Sequence, residues 1–122
     1  MLEFAAALLV LVGAMHSFVG GKRLIAPLLG KDDFPVILGS QQNGRVTLWF
    51  GWHALTLFWW SQAAVIWTIS IDEALTAAVV LASTAVACAI TGLAAVIATK
   101  GRHLSWVFFF PIAAILGAQL FL

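Results

Sequence analysis

Polar side chains in this chain fall in clumps and leave four long apolar blocks. Residues 2–19 hold only Glu3, His16 and Ser17 as strongly polar side chains, and residues 46–71 carry no charge but include His53 and Gln62. Residues 74–98 and 104–122 are also uncharged, the latter with a single glutamine, Gln119. Each block has the roughly 18–25 residues that a helix needs to cross about 30 Å of hydrocarbon. Backbone polar groups find no water inside a bilayer, so an apolar span must satisfy them within its own helix. The pattern therefore predicts an all-α integral membrane protein. Residues 1–122 form one membrane domain, a four-transmembrane-helix bundle with helices near 2–20, 45–70, 73–98 and 103–122.

The first connection, residues 21–44, is long, and the other two are short. Short connections make helices 2–3 and 3–4 antiparallel neighbours. In the long one, KRLIAPLLGKDDFPVILGSQQNGR, the apolar pieces LIAPLL and FPVIL are too short to span, which predicts interfacial segments. Asp33 before Phe34-Pro35 reads as a helix start, because Asp caps and proline suits a first turn. Gly39-Ser40 then breaks that piece and starts helix 2 afresh. Helix 3 repeats small residues four apart (Ala78-Ala82, Ala85-Ala89, Thr84-Cys88), which lets backbones approach closely. That face is expected to pack at the bundle centre, in a homo-oligomer or against a larger membrane complex. Pro111 is expected to bend helix 4, and Cys88, the lone cysteine, to serve as a small packing residue.

Composition agrees: 63% of residues are hydrophobic and only 9% charged, with a mean hydropathy of +1.07. The position of the charges matters more than their number. All six basic residues (Lys22, Arg23, Lys31, Arg45, Lys100, Arg102) lie in or beside the first and third connections, whereas the second carries Asp72 and Glu73. By the positive-inside rule those two connections are cytoplasmic and both termini are outside, in a bacterial inner (plasma) membrane. No basic residue precedes the first block, so it is expected to be retained rather than cleaved as a signal. These cations are topological and touch lipid head groups; they do not point to nucleic acid.

Signatures of soluble enzymes are absent: there is no Walker loop, GxGxxG, HExxH or CxxC. What stands out is histidine. His16, His53 and His103 all fall in the cytoplasmic half, one on each of three predicted helices, with Ser17, Arg45 and Thr56 nearby. At about 100° per residue, His53, Thr56 and Trp60 share a face of helix 2 while Gln62 points away. Such a face should look into the bundle, since polar groups at membrane depth are costly unless partnered. The plainest role for these imidazoles is helix-to-helix hydrogen bonding. A neutral imidazole is also the commonest metal ligand, so His16 and His53, joined by His103 for a metal ion, form a candidate site for a metal ion or haem.

The four-helix plan resembles the small multidrug transporters, but their glutamate in the middle of helix 1 has no counterpart in LVLVGAMHS. The chain is more similar to small four-helix bacterial inner-membrane proteins of unassigned function. The likeness rests on a His-Ser near the end of helix 1 (MHSFVGGKRLIAPLL), an Arg-x6-Trp-His on helix 2 (RVTLWFGWH) and a Gly-Arg-His before helix 4 (GRHLSWVFF). It implies the topology and marks the histidines. Three functional expectations follow: a histidine-centred polar pocket that binds a cofactor near the cytoplasmic leaflet, a small transporter or proton-coupled carrier using that pocket, or a non-catalytic accessory subunit.

Overall fold

The computed structural model of the chain describes residues 1–37 and 39–122. It is helical throughout, with no strand among the described residues. Helix α1 spans Leu2–Leu29, α2 Gln41–Ile71, α3 Thr76–Thr99 and α4 Trp106–Phe121. The first three, with α3 extended back to Glu73 by a 3₁₀ turn, are long and apolar enough to cross a membrane; α4 is apolar but shorter.

Helix α1 runs on well past the expected end at Gly20. Its middle, Met15–Ile25, is wound as a π-helix, and the chain returns to α geometry over Ala26–Leu29. The wider i→i+5 turn carries the chain through Gly20-Gly21 without a break. Consequently LIAPLL is the last part of α1 and not a separate interfacial piece. Lys22 and Arg23 lie exposed on a continuing helix.

Asp33 starts no helix. Phe34 to Val36 has no regular secondary structure, and Ile37 pairs with Ser40 across a turn in which Gly39 takes φ +81°; Leu38 of the FPVIL piece lies outside the described residues. Helix α2 begins at Gln41, four residues earlier than expected, because Ser40 caps it: its Oγ accepts from Asn43 N at 3.0 Å. That is the usual bond of a serine N-cap. Gly44 lets this segment lie on α2, since a Cβ there would stand 2.8 Å from Pro35 O and 2.9 Å from the Phe34 ring.

The helices pack in chain order, α1 on α2, α2 on α3, α3 on α4, with no close packing of α1 against α4 among the described residues. The row is open rather than a closed bundle; of the three long helices α1 has the smallest buried share, and α4 has no buried residue over Trp106–Ala118. Ser61 donates to Ser83 at 2.8 Å between α2 and α3. On α3 the buried row is Ala85, Cys88, Gly92, Ala95 and Thr99, spaced alternately three and four. Gly92 meets Phe109 and Phe110 of α4, where a Cβ would come within 2.9 Å of the Phe110 ring.

The α3–α4 turn is closed by its own residues. Lys100 and Gly101 take positive φ, and Gly101 N returns to Val96 O at 2.9 Å, a Schellman-type stop. His103 delays α4 to Trp106. Its backbone N–H donates to Thr99 Oγ1 at 3.0 Å, and its Nδ1 meets Ser105 Oγ at 2.8 Å.

Candidate functional site

The α1–α2 seam is a ladder of directional bonds. Three α1 carbonyls, three residues apart, each receive a side-chain donor from α2, four residues apart. Trp60 Nε1 donates to Val10 O at 3.2 Å, Thr56 Oγ1 to Gly13 O at 3.4 Å and Trp52 Nε1 to His16 O at 3.0 Å. The last rung is reciprocal, for His16 Nε2 donates to Trp52 O at 3.2 Å. The His16 and Trp52 rings lie stacked, centroids 3.8 Å apart and planes 12° from parallel, with Trp59 edge-on at 5.0 Å.

Glycine makes this approach possible. A Cβ at Gly13 would sit 2.6 Å from Trp60 Nε1, one at Gly20 2.9 Å from the Trp52 ring and one at Gly21 3.3 Å from His53 Cε1. The π-helical stretch thus coincides with the place where two aromatic rings of α2 rest on bare α1 backbone. Single π turns mark functional positions in many helices.

One residue along, Ser17 begins a second chain of bonds. Ser17 Oγ donates to Thr56 Oγ1 at 2.8 Å, and Thr56 in turn donates to the Gly13 carbonyl. With its own proton spent, Ser17 Oγ accepts from His53 Nδ1 at 2.9 Å. Read back from that carbonyl, which can only accept, the relay runs from His53 Nδ1–H to Ser17, from Ser17 to Thr56 and from Thr56 to Gly13 O. In that order His53 carries its proton on Nδ1, and its Nε2 has no hydrogen-bond partner among the described residues.

His53 and Ser17 line a cleft of about 260 Å³ bounded by α1, α2 and α3, with Trp49, Phe50, Trp60 and Thr91 among its walls. No charged residue lines it. Its third wall is α3, where the sequence pointed to helix 4. His16 instead lines a different cleft, bounded by α1 and α2 alone, with Trp52 and Trp59. Adjacent residues point about 100° apart on a helix, which is why His16 and Ser17 serve different clefts. His103 lies at the α3–α4 turn, its ring 6.0 Å from Phe50. Ser105 N also donates to its Nδ1 at 3.4 Å, so this histidine closes the turn.

The three histidines thus do not converge. Among the described residues no three His, Cys, Asp or Glu side chains are placed to hold a metal ion. Of the polar residues the sequence singled out, Ser17, His53, Thr56 and Trp60 come together at one cleft. Arg45 does not: its Nη2 donates to Lys31 O at 2.8 Å and its guanidinium lies 5.7 Å over the Phe34 ring. It ties the first connection to the start of α2.

Sequence reasoning missed two contributors. Trp52 reads as an interfacial belt residue, yet the spacing Trp52, Thr56, Trp60 at i, i+4, i+8 was the legible signal of one bonded stripe. Thr91 had no signal beyond its residue type. It is 1% exposed, lines the His53 cleft, and its hydroxyl has no hydrogen-bond partner. No protein family, characterised protein or solved structure matches this chain.

Proposed function

We propose that this is a four-span inner-membrane protein that binds a neutral, membrane-dissolved amphiphile in the α1–α2–α3 cleft, with His53 as its polar contact. The carrying observation is His53 in the wall of an uncharged cleft of about 260 Å³, its Nδ1 bonded into the Ser17–Thr56–Gly13 relay and its Nε2 without a hydrogen-bond partner among the described residues. Small-molecule sites have this character, mostly apolar with a few placed polar groups. The cleft lies in the half of the protein nearer the six basic residues, which by the positive-inside rule is the cytoplasmic half, with both termini outside. His16 serves this reading as a clamp, bonded and stacked on Trp52.

A bromine-labelled long-chain alcohol tests it, because bromine quenches nearby tryptophans and Trp49 and Trp60 line the cleft. Wild-type protein in lipid nanodiscs should show saturable quenching, and Ala94→Phe, which fills the cleft from α3, should lose the saturable part. Equal, non-saturating quenching of both proteins would leave the cleft without a ligand.

A second reading, an accessory subunit, is favoured by the broad exposed apolar surface of α1, including Leu8, Leu11, Met15 and Phe18. It requires a partner that co-purifies in mild detergent and is lost when these residues are made smaller.

A further inference from the structure

We infer that the occupant of the His53 cleft is a quinol-class molecule, a flat ring carrying hydroxyl groups and an apolar tail, bound in preference to its oxidised quinone. The inference rests on the cleft being a ligand site and adds the identity of the head group.

Hydrogen-bond polarity comes first. His53 spends its only ring proton on Ser17 and presents Nε2 as a lone pair. A ligand group there must donate. A hydroxyl does so, whereas a quinone carbonyl offers only lone pairs and meets a lone pair.

Thr91 supplies the second contact. Two other threonines in the helices bond the carbonyl one turn back, Thr68 to Ala64 O at 2.9 Å and Thr99 to Ala95 O at 2.6 Å. Thr91 does not, although it is 1% exposed and its hydroxyl is buried; Thr47 and Thr76 share that condition, but of the three only Thr91 lines the His53 cleft. A buried hydroxyl without a partner is unfavourable, and a threonine in a helix has two χ1 rotamers open to it. It can turn to a ligand oxygen on the side of the cleft facing His53.

The walls select the rest. Without a charged lining residue, a phosphate, carboxylate or ammonium head would be buried unpaired. Trp49, Phe50 and Trp60 offer aromatic faces and edges to a planar ring. Trp49 already stands edge-on to His53, with centroids 4.8 Å apart. A volume of about 260 Å³ suits a single substituted ring, leaving its tail among the lipid chains.

The test is equilibrium binding of radiolabelled decylhydroquinone to the full chain in lipid nanodiscs, competed by decylquinone and by the dimethyl ether of decylhydroquinone. The ether keeps ring and tail but has no proton to donate. We expect the hydroquinone to bind about tenfold more tightly than either competitor, the ratio associated with one good hydrogen bond. Thr91→Val should weaken hydroquinone binding by about fivefold while keeping the fold. Ala94→Phe should abolish binding of all three. If the three compounds compete equally at a site that Ala94→Phe removes, the cleft binds ligands but the quinol assignment is wrong. If none binds at a site sensitive to Ala94→Phe, the cleft reading falls with it.

Discussion

The α1–α2 and α3–α4 seams join helices of similar apolarity by different physics. Between α3 and α4 the contact along the helices is packing, with Gly92 admitting Phe109 and Phe110, and the directional bonds are confined to the turn, where His103 N donates to Thr99 and Trp106 Nε1 to Gly101 O. Between α1 and α2 the contact is a ladder in which Trp52, Thr56 and Trp60 cap the carbonyls of His16, Gly13 and Val10. Packing tolerates sliding, because one apolar surface resembles the next. A hydrogen-bonded rung does not, since a shift of one residue leaves donors and acceptors unpaired in hydrocarbon. Lipid tails are as apolar as leucine, so burial gives helices little reason to associate. The directional seam holds the otherwise poorly buried α1 in one register, and that register is what brings Ser17 to His53 Nδ1.

Adding volume to the two seams breaks the comparison most sharply. Gly13→Val should destabilise the protein by about 3 kcal/mol in unfolding by mixed SDS micelles, because overpacking is costly and the Trp60 indole is pinned by its bond to Val10 O. Gly92→Val should cost about half as much, since the Phe110 ring has no such bond and α4 can shift. Equal losses would show the two seams to be equally rigid.

Smaller changes probe individual bonds. Trp52→Phe keeps an aromatic ring against His16 but removes the donor to its carbonyl, and should cost about 1–2 kcal/mol in the same assay. Ser17→Ala should cost about 1 kcal/mol and release the His53 tautomer. Gly51→Ala should change stability by less than about 1 kcal/mol, and in the favourable direction, because a Cβ there meets nothing within 4 Å and alanine is the better helix former. That variant is the control showing that a glycine matters here only where rings press on it.

Hydropathy alone made the helices legible, since a run of apolar side chains long enough to span leaves the backbone one solution. The end of α1 was not legible. Helix 1 was expected to end near Gly20, yet the π-helix runs through Gly20-Gly21, where Trp52 and His53, 32 residues further along the chain, press on the glycines. Ser40 was readable as a break and acted as a cap. The shared inward face of His53, Thr56 and Trp60 was readable from periodicity. The separation of His16 from His53 was not, because it depends on which side of the seam each ring leaves. Thr91 lay beyond reach because its interest is a missing bond, and a sequence shows residues but not what their atoms fail to find.

The tautomer of His53 tests the account most directly. Nitrogen-15 NMR of histidine-labelled protein in lipid nanodiscs distinguishes a protonated ring nitrogen from one carrying a lone pair, with His53 assigned by its loss in His53→Gln. The relay predicts Nδ1 protonated and Nε2 bare, converting toward the Nε2–H form in Ser17→Ala. A wild-type His53 already protonated on Nε2, unchanged by Ser17→Ala, would contradict the relay and the donor-seeking site built on it.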